Sequence, residues 1–206
     1  MRKTDTLLKG RLMSTSASDF PRPYRLTVQD YYRMGEAGIF RPNERVELIE
    51  GEIIAMSPIG SLHAAWVNQL ARVFVQQTSD EITVHIQNPV RLSEDTEPEP
   101  DLVLLSPREK PYSEEHPTSK DILLVVEIAD SSLVYDRDRK VPLYARYGIP
   151  EVWIIDLQSS KLTIYLEPSR DGYRKILQPA PADDVSPTLL PEVKVGFATL
   201  FKKGQC

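Results

Sequence analysis

Two short stretches constrain this chain more than any others: Ile122 to Ile128, apolar but for Glu127, and Val152-Trp153-Ile154-Ile155. Each is too short for a buried helix and too continuous for a half-exposed strand. Such runs suit strands covered on both faces, the interior of a sheet with helices packed against it. Asp136 to Tyr147 lies between them and has helical spacing, with Gly148 as a C-cap and Pro150 as a stop. Pro142 falls inside that segment and predicts a kink or break. A helix crossing between two buried strands makes part of the sheet parallel.

The remaining elements follow from local signals. Thr27 and Asp30 form a T-x-x-D helix start before Tyr31, Tyr32 and Met34, and Gly35 and Gly38 end it. Val46 to Ile49 and Ile53 to Met56 flank Glu50-Gly51, a hairpin pattern. Leu62, Trp66, Leu70, Val73 and Phe74 recur at spacings of three and four, so Ser61 to Gln77 reads as a helix. Ile82 to Leu92 alternates and predicts a strand, Asp101 to Leu105 a short buried one, and 106–120 a polar loop. Lys161 to Leu166 and Tyr173 to Leu177 alternate as an edge hairpin, and Val193 to Phe197 suggests a last weak strand. From residue 61 the order is helix, strand, strand, strand, helix, strand. It predicts an α/β fold with a mixed sheet, preceded by a helix and hairpin and followed by edge strands. Trp66 and Trp153 sit in apolar stretches and are expected in the core.

The length of 206 residues suits one domain, expected over 24–206. Residues 1–23 lack apolar periodicity and read as a flexible basic arm. No apolar stretch is long enough to span a membrane and no secretory leader is evident. A single cysteine, Cys206, leaves nothing for an intrachain disulfide, so a cytoplasmic setting is expected. The net charge of −5 is distributed unevenly, with the basic surplus in the first 25 residues. An acidic body gives either solubility or carboxylates gathered around a cation. Other chemistries find little support. No Gly-rich loop opens a helix, His63, His85 and His116 lack zinc-ligand spacing, and no G-x-S-x-G elbow occurs.

The residues with chemical potential are carboxylates. Glu127 interrupts an apolar run, where a charge must be paired, protonated or bound to a cation. Asp101 opens another apolar strand after Pro-Glu-Pro. If these strands are neighbours, the two carboxylates meet at one sheet edge, where two hard oxygens plus water describe a Mg²⁺ site. Alternatively, Glu127 bonds an arginine or a backbone amide and Asp101 caps a turn. Lys140 lies on the following helix and shares a face with Arg137, Tyr144 and Tyr147 at spacings of three and four. It either leans toward the carboxylates, stabilising charge on a phosphate, or belongs to a solvated face of mixed charges from Asp136 to Arg139. Its replacement by methionine is expected to behave as a surface substitution.

Pro100-Asp101 followed by Glu127-Ile128-Ala129 resembles the PD-(D/E)XK nuclease pattern. Glu44 to Glu52, Met56-Ser57-Pro58, His63, and above all Lys140 through Asp156 resemble the Uma-type family of restriction-endonuclease-like proteins, over roughly residues 24–200. The resemblance implies a restriction-endonuclease-like αβββαβ core. It also implies an endonuclease acting on DNA with Mg²⁺, or Mn²⁺ in its place, held by Asp101 and Glu127. The superfamily commonly has lysine two residues after the second acid, where this chain has Ala129. The resemblance implies that Lys140 takes over that role, and it extends the site to Glu47 and His63. A basic rim of Arg137, Arg139 and the arm would face the phosphates, and a homodimer would serve to cut both strands. The rival is a non-catalytic DNA-binding or protein-interaction module that keeps the fold, with Ala129 as its main support.

Overall fold

The structure is a computed structural model describing residues 22–108 and 112–198. The expected arm over 1–23 lies almost wholly outside the described residues. Helix α1 spans Val28–Glu36. Its capping box forms as the sequence suggests: the Thr27 hydroxyl accepts from the Asp30 amide, and the Asp30 carboxylate accepts from the Thr27 amide. Strands β1 (Val46–Ile49) and β2 (Glu52–Ala55) form the hairpin. Glu50 and Gly51 both take positive φ, 51° and 74°, as a two-residue turn matched to strand twist requires. Helix α2 covers Ser61–Gln77 and buries Trp66, Val67, Leu70 and Phe74. Leu62 stays exposed, because the first turn of α2 runs past the apolar core.

Six strands form the main sheet: β3 (Thr83–Ile86), β4 (Leu102–Leu105), β5 (Ile122–Ala129), β6 (Glu151–Asp156), β7 (Lys161–Ser169) and β8 (Gly172–Leu177). They lie side by side in that order, and only β5 and β6 run parallel. Both faces are covered, which explains the unbroken apolar runs of β5 and β6. On one face Trp66, Leu70 and Phe74 pack against Leu104, Val126 and Trp153. On the other, Val141, Leu143 and Tyr144 pack against Val103, Val125 and Ile154. Trp66 and Trp153 are both core residues, as expected.

Three sequence-based expectations need correction. The strand expected over Ile82 to Leu92 stops at Ile86, because Gln87 turns at φ 46° and Pro89 has no amide to continue a ladder. The strand expected over Val193 to Phe197 shrinks to Val195–Gly196, paired with Asp184–Val185. The crossover helix begins earlier than Asp136 and is not uniform. It comprises α3 (Leu133–Tyr135), a π-helical turn (Asp136–Lys140) and α4 (Val141–Arg146). Val141 N–H bonds the Asp136 carbonyl, one residue further back than in an α-helix. Pro142, two residues into the resumed helix, could not have donated to the Asp138 carbonyl, and the widened turn absorbs that loss. The extra residue also rotates the expected face. Arg137 points to solvent beside Asp138, whereas Asp136 and Lys140 turn inward. No helix among the described residues is long and apolar enough to cross a membrane.

Candidate active site

The register of β4 and β5 sets the site. Leu102 pairs with Val126 in an antiparallel ladder, so Asp101 stands opposite Glu127, one step beyond it. Directly opposed residues share a sheet face. Both carboxylates therefore fall on the face covered by α4, where one cavity of about 300 Å³ opens. Glu47, His63 and Lys140 also line it. All five candidates from the sequence are thus brought together, from β1, α2, the residue before β4, β5 and the π-helical turn.

Each side chain is held by named partners. Glu127 is 2% exposed. Its Oε1 accepts from the Tyr144 hydroxyl at 2.6 Å and from Lys140 Nζ at 3.2 Å. Its Oε2 has no hydrogen-bond partner among the described residues. Lys140, 3% exposed, also pairs with Glu47 Oε2 at 3.2 Å. Glu47 is fixed in turn by the Glu99 amide and the Tyr135 hydroxyl. Asp101 Oδ2 accepts from the Ile128 amide at 2.8 Å and lies 3.0 Å from His63 Nε2, while Oδ1 accepts from Gln87 Nε2 at 3.2 Å. His63 reaches Asp101 from the first turn of α2, and its buried Nδ1 has no hydrogen-bond partner among the described residues.

The charges follow from this packing. Burial pushes the Glu127 carboxyl up to about 8, against the pull of Lys140. Burial alone would discharge Lys140, but Glu127, Glu47, Asp136 and Asp101 surround it and hold its amine well above the ordinary value. The two shifts oppose each other, and a cation facing four carboxylates keeps its proton; the strain of ionisation falls on the acids. Burial raises Asp136 as well. For Asp101, burial is outweighed by the hydrogen bond and charge of His63 and by the Ile128 amide, so its carboxyl lies below the usual value. Burial would likewise lower His63, but Asp101 holds it above.

Lys140 is therefore neither solvated nor surface-like, and that expectation is corrected: Glu47 and Glu127 draw its amine inside. Of the expected basic rim, the arm lies almost wholly outside the described residues and the two arginines are half-exposed in surface ion pairs. Arg137 pairs with Asp138, and Arg139 pairs with Glu50 and Glu52. Sequence reasoning missed Asp136 and Tyr135 in the cavity wall and Tyr144 as a partner of Glu127. Asp136 stands four residues before Lys140, a helical spacing that could have marked it. Nothing local marks Tyr135.

The donor set suits a hard cation. Among the described residues no hydrogen bond reaches Glu127 Oε2, and one reaches Asp101 Oδ1, from Gln87. No group of three or more His, Cys, Asp or Glu side chains among the described residues is gathered for a metal. Mg²⁺ is commonly bound through one or two carboxylates, with water and substrate phosphate completing the shell, so the pair fits.

A mixed sheet with a flanking helix on each face, and acidic residues at neighbouring strand ends, defines a nuclease-type α/β fold. The crystal structure described as a "putative nuclease belonging to DUF820 from Anabaena variabilis ATCC 29413" shares it. Its TM-score is 0.68 at 16% identity, over 87% of this chain and 99% of that one. The family model Uma2, described as "Putative restriction endonuclease", matches residues 28–199, and the chain belongs to that family. No curated protein matches the chain.

Proposed function

We propose that this chain is a Mg²⁺-dependent endonuclease that hydrolyses phosphodiester bonds in DNA. The observation that carries the reading is that Asp101 and Glu127 line one cavity, one step beyond the Leu102–Val126 pair of β4 and β5, beside the buried amine of Lys140. Asp101 and Glu127 would hold the metal, with Mn²⁺ as a substitute. When bound, the ion supplies neutralisation of phosphate charge and acidification of water. Tyr144 and Lys140 occupy Glu127 Oε1 and so leave Oε2 to the cavity. His63, Gln87 and the Ile128 amide fix the Asp101 carboxylate. Lys140 keeps a positive charge where the phosphate enters, and Glu47 pins it there. Family membership supports the same class of chemistry.

One observation favours the rival, a non-catalytic module. Lys140 is engaged by two carboxylates at 3.2 Å each, as a structural ion pair would be. Incubation of labelled DNA with wild type and Asp101→Asn, in Mg²⁺, Mn²⁺ and chelator, separates the two. Metal-dependent cleavage lost in the variant supports the nuclease. No cleavage under any condition supports the module.

A further inference from the structure

The acidic centre lies at the bottom of a recess. Glu47, Glu127 and Lys140 are nearly inaccessible from outside. At about 300 Å³, the cavity sits at the small end of sites that enclose a ligand, roughly 300–1,000 Å³. A stacked duplex presents its phosphates on a broad convex surface, which cannot enter such a space.

Three exposed aliphatic side chains lie on the segments that border the cavity, one of them in its wall. Ile59, 41% exposed, lines the cavity on the segment after β2. Leu62, 37% exposed, falls between the lining residues Gly60 and His63. Val134, 64% exposed, falls between the lining residues Ser132 and Tyr135. The first segment approaches the chain that leads into the second: a methyl added to Gly60 would meet Asp130 Oδ2 at 3.7 Å. The arginines nearby are paired with carboxylates, Arg45 with Glu99 in the cavity wall and Arg139 with Glu50 and Glu52 outside it. Glu47, Glu99, Asp101, Glu127, Asp130 and Asp136 also line the cavity, against Arg45 and Lys140. Such a site grips poorly by bulk charge. It is suited instead to a flexible strand whose bases rest on aliphatic side chains, as apolar wedges do between base steps.

We infer that the cavity receives one unpaired nucleotide of a single-stranded or unwound DNA segment, with Ile59, Leu62 and Val134 seated against its bases. The inference rests on the nuclease reading for the chemistry but makes a separate claim about binding. One copy suffices for such a substrate, so a homodimer is not required.

The test is fluorescence anisotropy with the full chain and labelled oligonucleotides of one sequence, as single strand, overhang and blunt duplex. Ca²⁺ serves as the metal so that binding is read without cleavage. Single strands and overhangs should bind at least about tenfold more tightly than the blunt duplex, the scale of one base contact. Ile59→Ser combined with Val134→Ser should remove most of that preference while the melting temperature stays near wild type, since both residues are exposed. Duplex binding as tight as single-strand binding overturns the inference, as does a rim variant that keeps the preference, or an absence of binding to every form. Single-strand binding without cleavage in Mg²⁺ or Mn²⁺ would sink the nuclease reading and leave this inference standing.

Discussion

Replacing Lys140 by methionine should destabilise the fold substantially, although the side chain keeps most of its stem volume. The amine is buried and bridges Glu47 and Glu127 at 3.2 Å each. Its removal leaves two buried carboxylates with no cation in contact among the described residues. Breaking a buried ion pair on one side costs about 3–5 kcal/mol. The lower end applies here, because the cavity opens to solvent and Glu127, already pushed up to about 8, readily takes a proton. A loss of about 3 kcal/mol lowers the melting temperature by roughly 6–12 °C in a chain of this length. Urea unfolding followed by circular dichroism measures it directly. Adding Glu127→Gln to Lys140→Met should recover part of the loss, because the orphaned charge is gone. Cleavage at a temperature where the variant is still folded should fall by roughly two to three powers of ten. A stability within about 0.5 kcal/mol of wild type would refute the reasoning and return Lys140 to the surface role its sequence context suggests.

Tyr144→Phe removes the 2.6 Å hydrogen bond to Glu127 and should cost about 1.5–3 kcal/mol in urea unfolding; no change would mean the hydroxyl does not anchor the carboxylate. Gly51→Ala should cost about 1–3 kcal/mol, because a methyl at φ 74° would meet the Arg25 Cβ at 2.7 Å; a neutral result would show that the hairpin shifts freely against the chain before α1. Burial holds the His85 imidazole below its ordinary value, with the Pro89 carbonyl opposing and His116 reinforcing the shift. A depressed folded value means that its contribution is present above about pH 6.5 and lost as pH falls through the folded value. The urea midpoint of His85→Gln should therefore fall less than that of wild type between pH 7.5 and 5.5, and equal slopes would show that His85 carries no linkage.

Much of the fold was legible because local and tertiary demands agree. Ser61 to Gln77 has an uninterrupted apolar stripe and forms the helix it suggests. The runs at β5 and β6 are buried on both faces, as their composition requires. Legibility failed where a distant contact decides. The run Asp136-Arg137-Asp138-Arg139-Lys140 has the alternating charge of a solvated surface, yet Glu47 and Glu127 draw Lys140 inside and the π-helical turn reorients its neighbours. Val90 kept an alternating pattern although the chain had already turned at Gln87. Asp101 and Glu127 stood out because a carboxylate at an apolar strand is costly. Glu47 and His63 came from family resemblance alone, since their partners Lys140 and Asp101 are remote in sequence.

The central claim is that Asp101 and Glu127 together hold a divalent cation. Calorimetric titration of Mn²⁺ into the full chain, Asp101→Asn and Glu127→Gln tests it without requiring turnover. The account predicts saturable binding to wild type and at least about tenfold weaker binding to each variant, the usual scale for disturbing a metal site. Equal binding by all three proteins, or none by wild type, would contradict it.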